Sequence, residues 1–254
     1  LEFRRVLFRS TVSSDRYIFT CYVNSLQMAE DVHAVFHYGA GGELTVEDSY
    51  SVETYVLYLV GHSDSFTDET VALAKAIADY GHYAQIYLTE VHNIEDGKYA
   101  EMQTYYTESY DIDAVRTAVD EYKLVLSGSS SVKSAAMRLS LDSETAMSIR
   151  LTVEDGAELT ATATLNGKTF SAETQTDGSY IIKITGIKAA QLGSELIVTG
   201  TAGGEDFSVT VAPLAYVRSI LNSSAYSSNL NAQNTVAAFY YYYAAIMAYR
   251  ADQQ

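Results

Sequence analysis

Apolar and polar residues alternate with a period of two through YIFTCYVNS and VHAVFHYG, and GAGGELTVEDSY reads as a glycine turn leading into a third strand. The period then changes. SVETYVLYLV and DETVALAKAIADYGHYAQIYLTEV place apolar residues three and four apart, with Asp68 and Glu69 at the end where a helix dipole favours negative charge. Two helices in a hairpin are predicted. Residues 94–110 (IEDGKYAEMQTYYTESY) are polar and Tyr-rich, DIDAVRTAVDEYKLV predicts a short helix, and SGSSS at 127–131 reads as a linker.

Six or seven short alternating segments follow from Val132 to Val211, with hairpin signals at Asn166-Gly167 and Asp177-Gly178. This spacing predicts an immunoglobulin-like β-sandwich. The single proline, Pro213, ends the strands, and APLAYVRSIL and TVAAFYYYYAAIMAYR supply a second helical pair. Strands thus precede a helix hairpin twice, and the two occurrences share a register. Val23 and Ile184, Ala29 and Ala190, Gly39 and Gly200, Gly42 and Gly203, Tyr55 and Tyr216, and Val56 and Val217 all stand 161 apart. Tyr80, Tyr83, Ala84 and Ile86 match Tyr240, Tyr243, Ala244 and Ile246 at 160.

The expected class is therefore α+β, an internally duplicated pair of sandwich-plus-hairpin modules. Ser10 falls opposite Ser171, so the first copy lacks a counterpart of residues 131–171, and its sandwich is expected to be truncated. Residues 11–50 should form an incomplete sheet with an unpaired edge and an exposed face. Ala74, Ala78, Gly81 and Ala84 on one long helix, and Ala238, Ala244 and Ala248 on the other, are small enough to let the two helices pack and join the modules. Tyr80, Tyr83, Tyr87 and the run Tyr240–Tyr243 would flank that seam.

Residues 1–10, LEFRRVLFRS, fit neither module. They scatter Arg4, Arg5 and Arg9 among Leu, Phe and Val, which no secretory leader does, and they match the translation of a common sequencing-library adapter residue for residue. The expected division is then residues 1–10 as an adapter artefact and 11–93 as a partial sheet with its hairpin. Residues 94–130 follow as the connector, 131–212 as the sandwich and 213–254 as the second hairpin, packed on the first.

Composition narrows the function classes. An apolar fraction of 48% supports well-formed cores, and 16 Lys plus Arg against 32 Asp plus Glu would repel a nucleic-acid backbone. No nucleic-acid partner is expected. Apolar runs such as AAIMAY fall well short of the roughly 18 residues that span a bilayer, so no membrane span is expected. The single cysteine, Cys21, excludes an internal disulfide and a Cys-based zinc site, and reads as a packed thiol.

Catalytic motifs such as GxSxG, HExxH, the P-loop and CxxC do not occur. His33 and His37 share a strand face but sit about 13 Å apart, too far to chelate one ion. His62, His82 and His92 have no partner spacing. Asp111, Asp113 and the cluster Glu95, Asp96, Glu101, Glu108 read as a solvated acidic face, with calcium left open. No cofactor or metal is assigned. Tyr99, Tyr105, Tyr106 and Tyr110, interleaved with Glu101 and Glu108, form the one candidate binding segment, because rigid amphipathic rings among polar groups suit adaptable recognition. The same rings could instead dock the connector on the helices.

The stretches FTCYVNSLQMAEDVHAVFHYG, ALAKAIADYGHYAQIYL, YAEMQTYYTESYDIDAV, LSLDSETAMSIRL and APLAYVRSIL, with the Tyr-rich last helix, resemble tandem modules of large exported proteins from anaerobic, often gut-dwelling, bacteria. That resemblance covers nearly all of residues 16–251 and implies an extracellular or surface location beside other repeat domains. It supplies no catalytic residues and no ligand motif. The expected role is a non-enzymatic surface module for adhesion, display or spacing. Its partners would be a protein or glycan ligand and neighbouring modules of the same polypeptide. The alternative is a carbohydrate-binding module, attached or not to a glycoside hydrolase. A Lys-Asn isopeptide crosslink is disfavoured in the second sandwich, since its last strand, DFSVTV, lacks Asn.

Overall fold

The computed structural model describes residues 9–13, 16–20, 23–38, 40–95, 97–105, 110–140 and 144–253, and shows an α+β protein. Cys21, together with residues 1–8, lies outside the described residues. In the first half, β1 (Arg9–Ser13) pairs with β2 (Arg16–Thr20), and β3 (Val32–Tyr38) pairs with β4 (Leu44–Tyr50). Each hairpin is a separate two-stranded sheet. α1 (Val52–Gly61) and α2 (Asp68–His92) follow, and each starts where a hydroxyl can replace a missing backbone partner. Ser51 Oγ accepts the Thr54 N–H at 2.9 Å, and Thr67 Oγ1 accepts the Thr70 N–H at 3.3 Å. α2 stops at Asn93, whose left-handed φ of 49° turns the chain out of the helix.

α3 (Ile112–Ala118) leads into β5 (Val125–Gly128), β6 (Val132–Ser140), β7 (Ala146–Val153), β8 (Leu159–Leu165), β9 (Lys168–Ser171), β10 (Glu173–Thr174), β11 (Tyr180–Ile184), β12 (Leu196–Ala202) and β13 (Glu205–Val211). They form two antiparallel sheets, in the orders β10-β11-β7-β6 and β5-β13-β12-β8-β9. Period-two alternation gives each sheet one apolar face. Met147, Ile149, Leu151, Ile182 and Ile184 from one sheet, and Val198, Phe207 and Val209 from the other, are buried in a single core. The Asn166-Gly167 turn joins β8 to β9 with positive φ at both residues, as a tight hairpin with matching twist requires.

α4 (Leu214–Leu221) and α5 (Leu230–Asp252) complete the chain. α2 and α5 run antiparallel: Tyr80 packs on Phe239 and Tyr242, the Tyr83 carbonyl accepts from Thr235 Oγ1 at 2.9 Å, and Glu90 accepts from Asn231 at 2.8 Å. Both helices therefore contribute to the core that the sheets enclose.

Four sequence expectations change here. SGSSS is not a linker: Ser127 and Gly128 belong to β5, which pairs with β13, so the sheet begins before residue 131. Gly128, at φ 98°, lies so close to β13 that a Cβ would sit 2.4 Å from the Asp206 carbonyl oxygen, and Ser129 Oγ donates to the Ala202 carbonyl at 2.8 Å. Gly81 does not face α5; its missing Cβ makes room for Met28 and Met102. Ala238 is buried on α5, but Ala248 is exposed, because the buried stretch of that helix is its N-terminal half, from Ala232 to Phe239.

The fourth change concerns register. β3–β4 pairs Val32 with Tyr50 through Tyr38 with Leu44, and β12–β13 pairs Leu196 with Val211 through Ala202 with Glu205. β4 and β13 stand 161 apart, as the sequence predicts, whereas β3 and β12 stand 164 apart. The connection is five residues (39–43) in the first hairpin and two (203 and 204) in the second, so Gly42 and Gly203, both at positive φ, keep the 161 step, whereas Gly200 lies inside β12 and does not match Gly39. The same 164 step relates the single 3₁₀ turns at Ser25–Gln27 and Ala189–Gln191. Two matching bonds span both steps: the Glu53 N–H donates to the Met28 carbonyl, and the Leu214 N–H to the Leu192 carbonyl, both at 3.0 Å, with the acceptors 164 and the donors 161 apart.

Candidate functional site

The Tyr-rich connector lies along α2 as a strap, and the polar residues that interrupt the apolar stripe of α2 hold it there. Gln85 is the central clamp. Its Nε2 donates to the Leu26 and Ala100 carbonyls, both at 3.0 Å, while its Oε1 accepts the Met102 N–H at 2.8 Å. One amide thus ties the helix both to the turn before β3 and to the strap. Asp79 accepts from Thr104 Oγ1 at 2.8 Å and from the Tyr105 N–H at 2.6 Å. His82 Nδ1 is 2.9 Å from the Met102 carbonyl, which can only accept, so this nitrogen carries the proton. Glu53 of α1 accepts the Gln103 N–H at 2.8 Å. Met102 is thereby held fully buried between α1 and α2, beside Val56, Leu59, Ala74 and Ala78.

The candidate tyrosines have three different environments. Tyr99 is half-buried, with Lys98 Nζ 6.0 Å from its ring, at the rim of an open hollow lined by His92, Asn93, Glu95 and Lys98. Tyr105 is half-buried against the small α1–α2 cluster, with Lys75 Nζ 6.0 Å from its ring. Burial, then the nearby Glu53 and Asp79 carboxylates, raise its phenol above the ordinary value. Tyr110 is buried, stacked on Tyr241 at 5.3 Å and tilted against Tyr83 at 5.3 Å. It is a core residue joining α2 to α5. Tyr106 lies outside the described residues, as do Asp96 and Glu108.

Other tyrosines line the seam between the halves. A cavity of about 190 Å³ sits where both 3₁₀ turns meet the long helices, lined by Ser25, Met28, Tyr80, Leu192, Phe239 and Tyr242 among others. Tyr80 and Tyr242 stack there at 5.7 Å with planes 6° apart. Burial raises both phenols; for Tyr80 the neighbouring Tyr242 adds to this and the Ser25 hydroxyl opposes it. Tyr122 is pushed up to about 12, first by burial and then by Tyr243.

Asp111, Asp113 and three of the histidines have structural partners. Asp111 caps α3 by accepting the Ala114 N–H at 2.9 Å, and Asp113 pairs with Arg116. His33 meets Ser49 Oγ at 2.9 Å, His37 meets Thr45 Oγ1 at 3.1 Å, and His62 Nδ1 meets the Tyr58 carbonyl at 2.9 Å. Among the described residues, no group of three or more His, Cys, Asp or Glu is arranged to hold a metal, and no helix is long and apolar enough to cross a membrane. The Asp79–His82–Gln85 clamp was not anticipated from sequence. Its signal was three polar residues spaced three apart beside the small-residue stripe Ala74, Ala78 and Gly81. No protein-family model matches this chain, and no curated protein or solved structure matches it.

Proposed function

We propose that this chain is a non-enzymatic extracellular or cell-surface module serving adhesion, display or spacing in a multidomain bacterial protein. On this reading it holds two copies of one unit, an immunoglobulin-like sandwich followed by a helical hairpin, with the first sandwich truncated. The observation that carries the reading is the recurrence of 3₁₀ turn, hairpin and two helices, with the same strand register and the same tying hydrogen bond, once from Ser25 to His92 and again from Ala189 to Asp252. Clamped to each other through α2 and α5, such units stack rather than swing, which suits a spacing or display role. The extracellular placement rests on the resemblance of the sequence to exported tandem modules.

A carbohydrate-binding role is the second reading, favoured by Tyr99, whose ring borders an open hollow with polar groups around it. One experiment separates the two. The purified chain is applied in parallel to a glycan array and to immobilised extracellular-matrix and mucosal proteins. Saturable protein binding is the expected result for an adhesive module. Glycan binding abolished by Tyr99→Ala would transfer the assignment to the second reading, and release of shortened sugars from any arrayed glycan would sink the non-enzymatic assignment.

A further inference from the structure

The β3–β4 hairpin presents part of an apolar face to solvent. Its register places Phe36, Tyr38, Leu44, Val46 and Tyr50 on one side with Asp48, and the pairs His33–Ser49, Val35–Glu47 and His37–Thr45 on the other. Tyr38, Leu44, Val46 and Tyr50 are each about half exposed. Half-buried strands have this composition when a second layer lies over them.

The other hairpin shows what that layer is. In β12–β13 the equivalents of Ala34, Asp48 and Tyr50 are Val198, Val209 and Val211, which are buried. β5 extends the sheet beyond β13, β8 extends it beyond β12, and the β7–β11 sheet shares the same core. Everything that β5 to β9 contribute precedes the hairpin in the chain.

We infer that the β3–β4 hairpin is an acceptor for a β layer of the kind formed by residues 122–171. The layer is supplied in the same polypeptide on the N-terminal side of the hairpin, and one of its strands pairs with the free edge of β4 along Val46–Ser49. This rests on the two-unit reading above. Among the described residues no strand lies beside this edge, and pairing there would replace a local bond. Thr210, the equivalent of Ser49, is paired with Val125 of β5, whereas the Ser49 N–H is occupied by the Asp48 carboxylate at 2.9 Å.

The hairpin also specifies how its layer differs from the one already in the chain. Phe36 stands where β12 has Gly200, and a Cβ on Gly200 would lie 1.9 Å from the Thr160 carbonyl oxygen of β8. The strand beside β3 must therefore pass wider at Phe36. Asp48 stands in the position of buried Val209, so the layer must bring a cation or hydrogen-bond donor to that carboxylate. In a second copy of this chain the layer of this kind is already committed to β12–β13.

The test exchanges residues 1–10 of the full chain for a second copy of residues 122–171, with Phe36→Gly and Asp48→Val to make the acceptor match. Amide hydrogen exchange is then compared at β3–β4 and β12–β13. The expected result is slowing of β3–β4 exchange by about a hundredfold, toward the β12–β13 level, with loss of apolar-dye binding. Ser49→Pro, which removes an outward amide and leaves the β3–β4 ladder, is expected to cancel protection along the edge of β4. Unchanged β3–β4 exchange beside an intact β12–β13 overturns the inference and leaves the module reading, which stands on ligand binding, in place. Edge protection that survives Ser49→Pro overturns the proposed pairing. Should the extended chain not fold, the unaltered chain still decides: β3–β4 amides already as slow as those of β12–β13 would overturn the open acceptor.

Discussion

β3–β4 and β12–β13 are hairpins of equal strand length in two different environments. They share a pairing register and both lead into a helix tied back by one backbone bond. Yet Val46 is 48% exposed and Tyr50 54%, while their partners Phe207 and Val211 are 4% and 1% exposed. Alternation within a strand pair thus decides which face is to be buried, and it does not supply the surface that buries it. The cores differ in the same way. The two sheets of the second half share a continuous core with α2, α3, α4 and α5, whereas among the described residues the cluster formed within the first half is the small one of Val56, Leu59, Ala74, Ala78 and Met102 between α1, α2 and the strap.

The sharpest way to break this comparison is to exchange the residues that distinguish the faces. Val209→Asp places an unpaired carboxylate at the centre of a closed core and is expected to cost about 4 kcal/mol or more, enough to unfold the second half at equilibrium. Asp48→Val at the open equivalent should change stability by less than about 0.5 kcal/mol and raise self-association instead. Chemical denaturation and sedimentation together read both outcomes. Equal destabilisation by the two exchanges would contradict the difference in burial.

Truncation gives a graded version. Ile182→Ala, at 0% exposure, is expected to lose about 2–5 kcal/mol, and Val46→Ala a small fraction of that. A Val46→Ala loss comparable with Ile182→Ala would mean that the hairpin face is covered.

The strap can be tested through its clamp. Gln85→Ala leaves the buried Met102 N–H without its acceptor and the Leu26 and Ala100 carbonyls without a donor, at a cost of about 1–3 kcal/mol. Limited proteolysis should then cut first within residues 94–105. Cleavage that begins in the second half instead would show that Gln85 does not hold the strap.

The smallest effect at ordinary pH comes from the tyrosines. Tyr80, Tyr122 and Tyr242 have folded-state values raised above the unfolded one, so folding favours their neutral forms. Their contribution is fully present below about pH 10 and is lost as pH rises through the folded values, which for Tyr122 means toward about 12. Phenolate absorbance should rise together with loss of helical circular dichroism in that window. Tyrosinate formation complete by pH 10.5 would contradict the burial of the seam.

How much could be read in advance varied with the range of the interaction. α1, α2 and α4 were legible because a 3.6-residue apolar period needs only neighbours on the same helix. The Asn166-Gly167 hairpin was legible because positive φ restricts residue choice locally. β5 was not, since its serines and Gly128 acquire strand geometry only against Asp206 and Phe207 on β13, far along the chain. The direction of Gly81 was equally hidden: a small residue on a helix announces a close approach without naming the partner, here Met28 and Met102 rather than α5. Of the candidate tyrosines, Tyr110 had the same composition around it as Tyr99, and only the fold sent one into the core and left the other at the rim.

By itself, then, the sequence determined the alternation of strand and helix, the turns that demand glycine or asparagine, and the acidic, cysteine-poor character of the chain. Tertiary structure decided which of two matching hairpins is covered, where the strap is clamped, and which small residues touch. The physical reason is that local periodicity reports the conformation a segment prefers, while burial, hydrogen-bond partnership and close backbone approach belong to pairs of segments that meet only after folding.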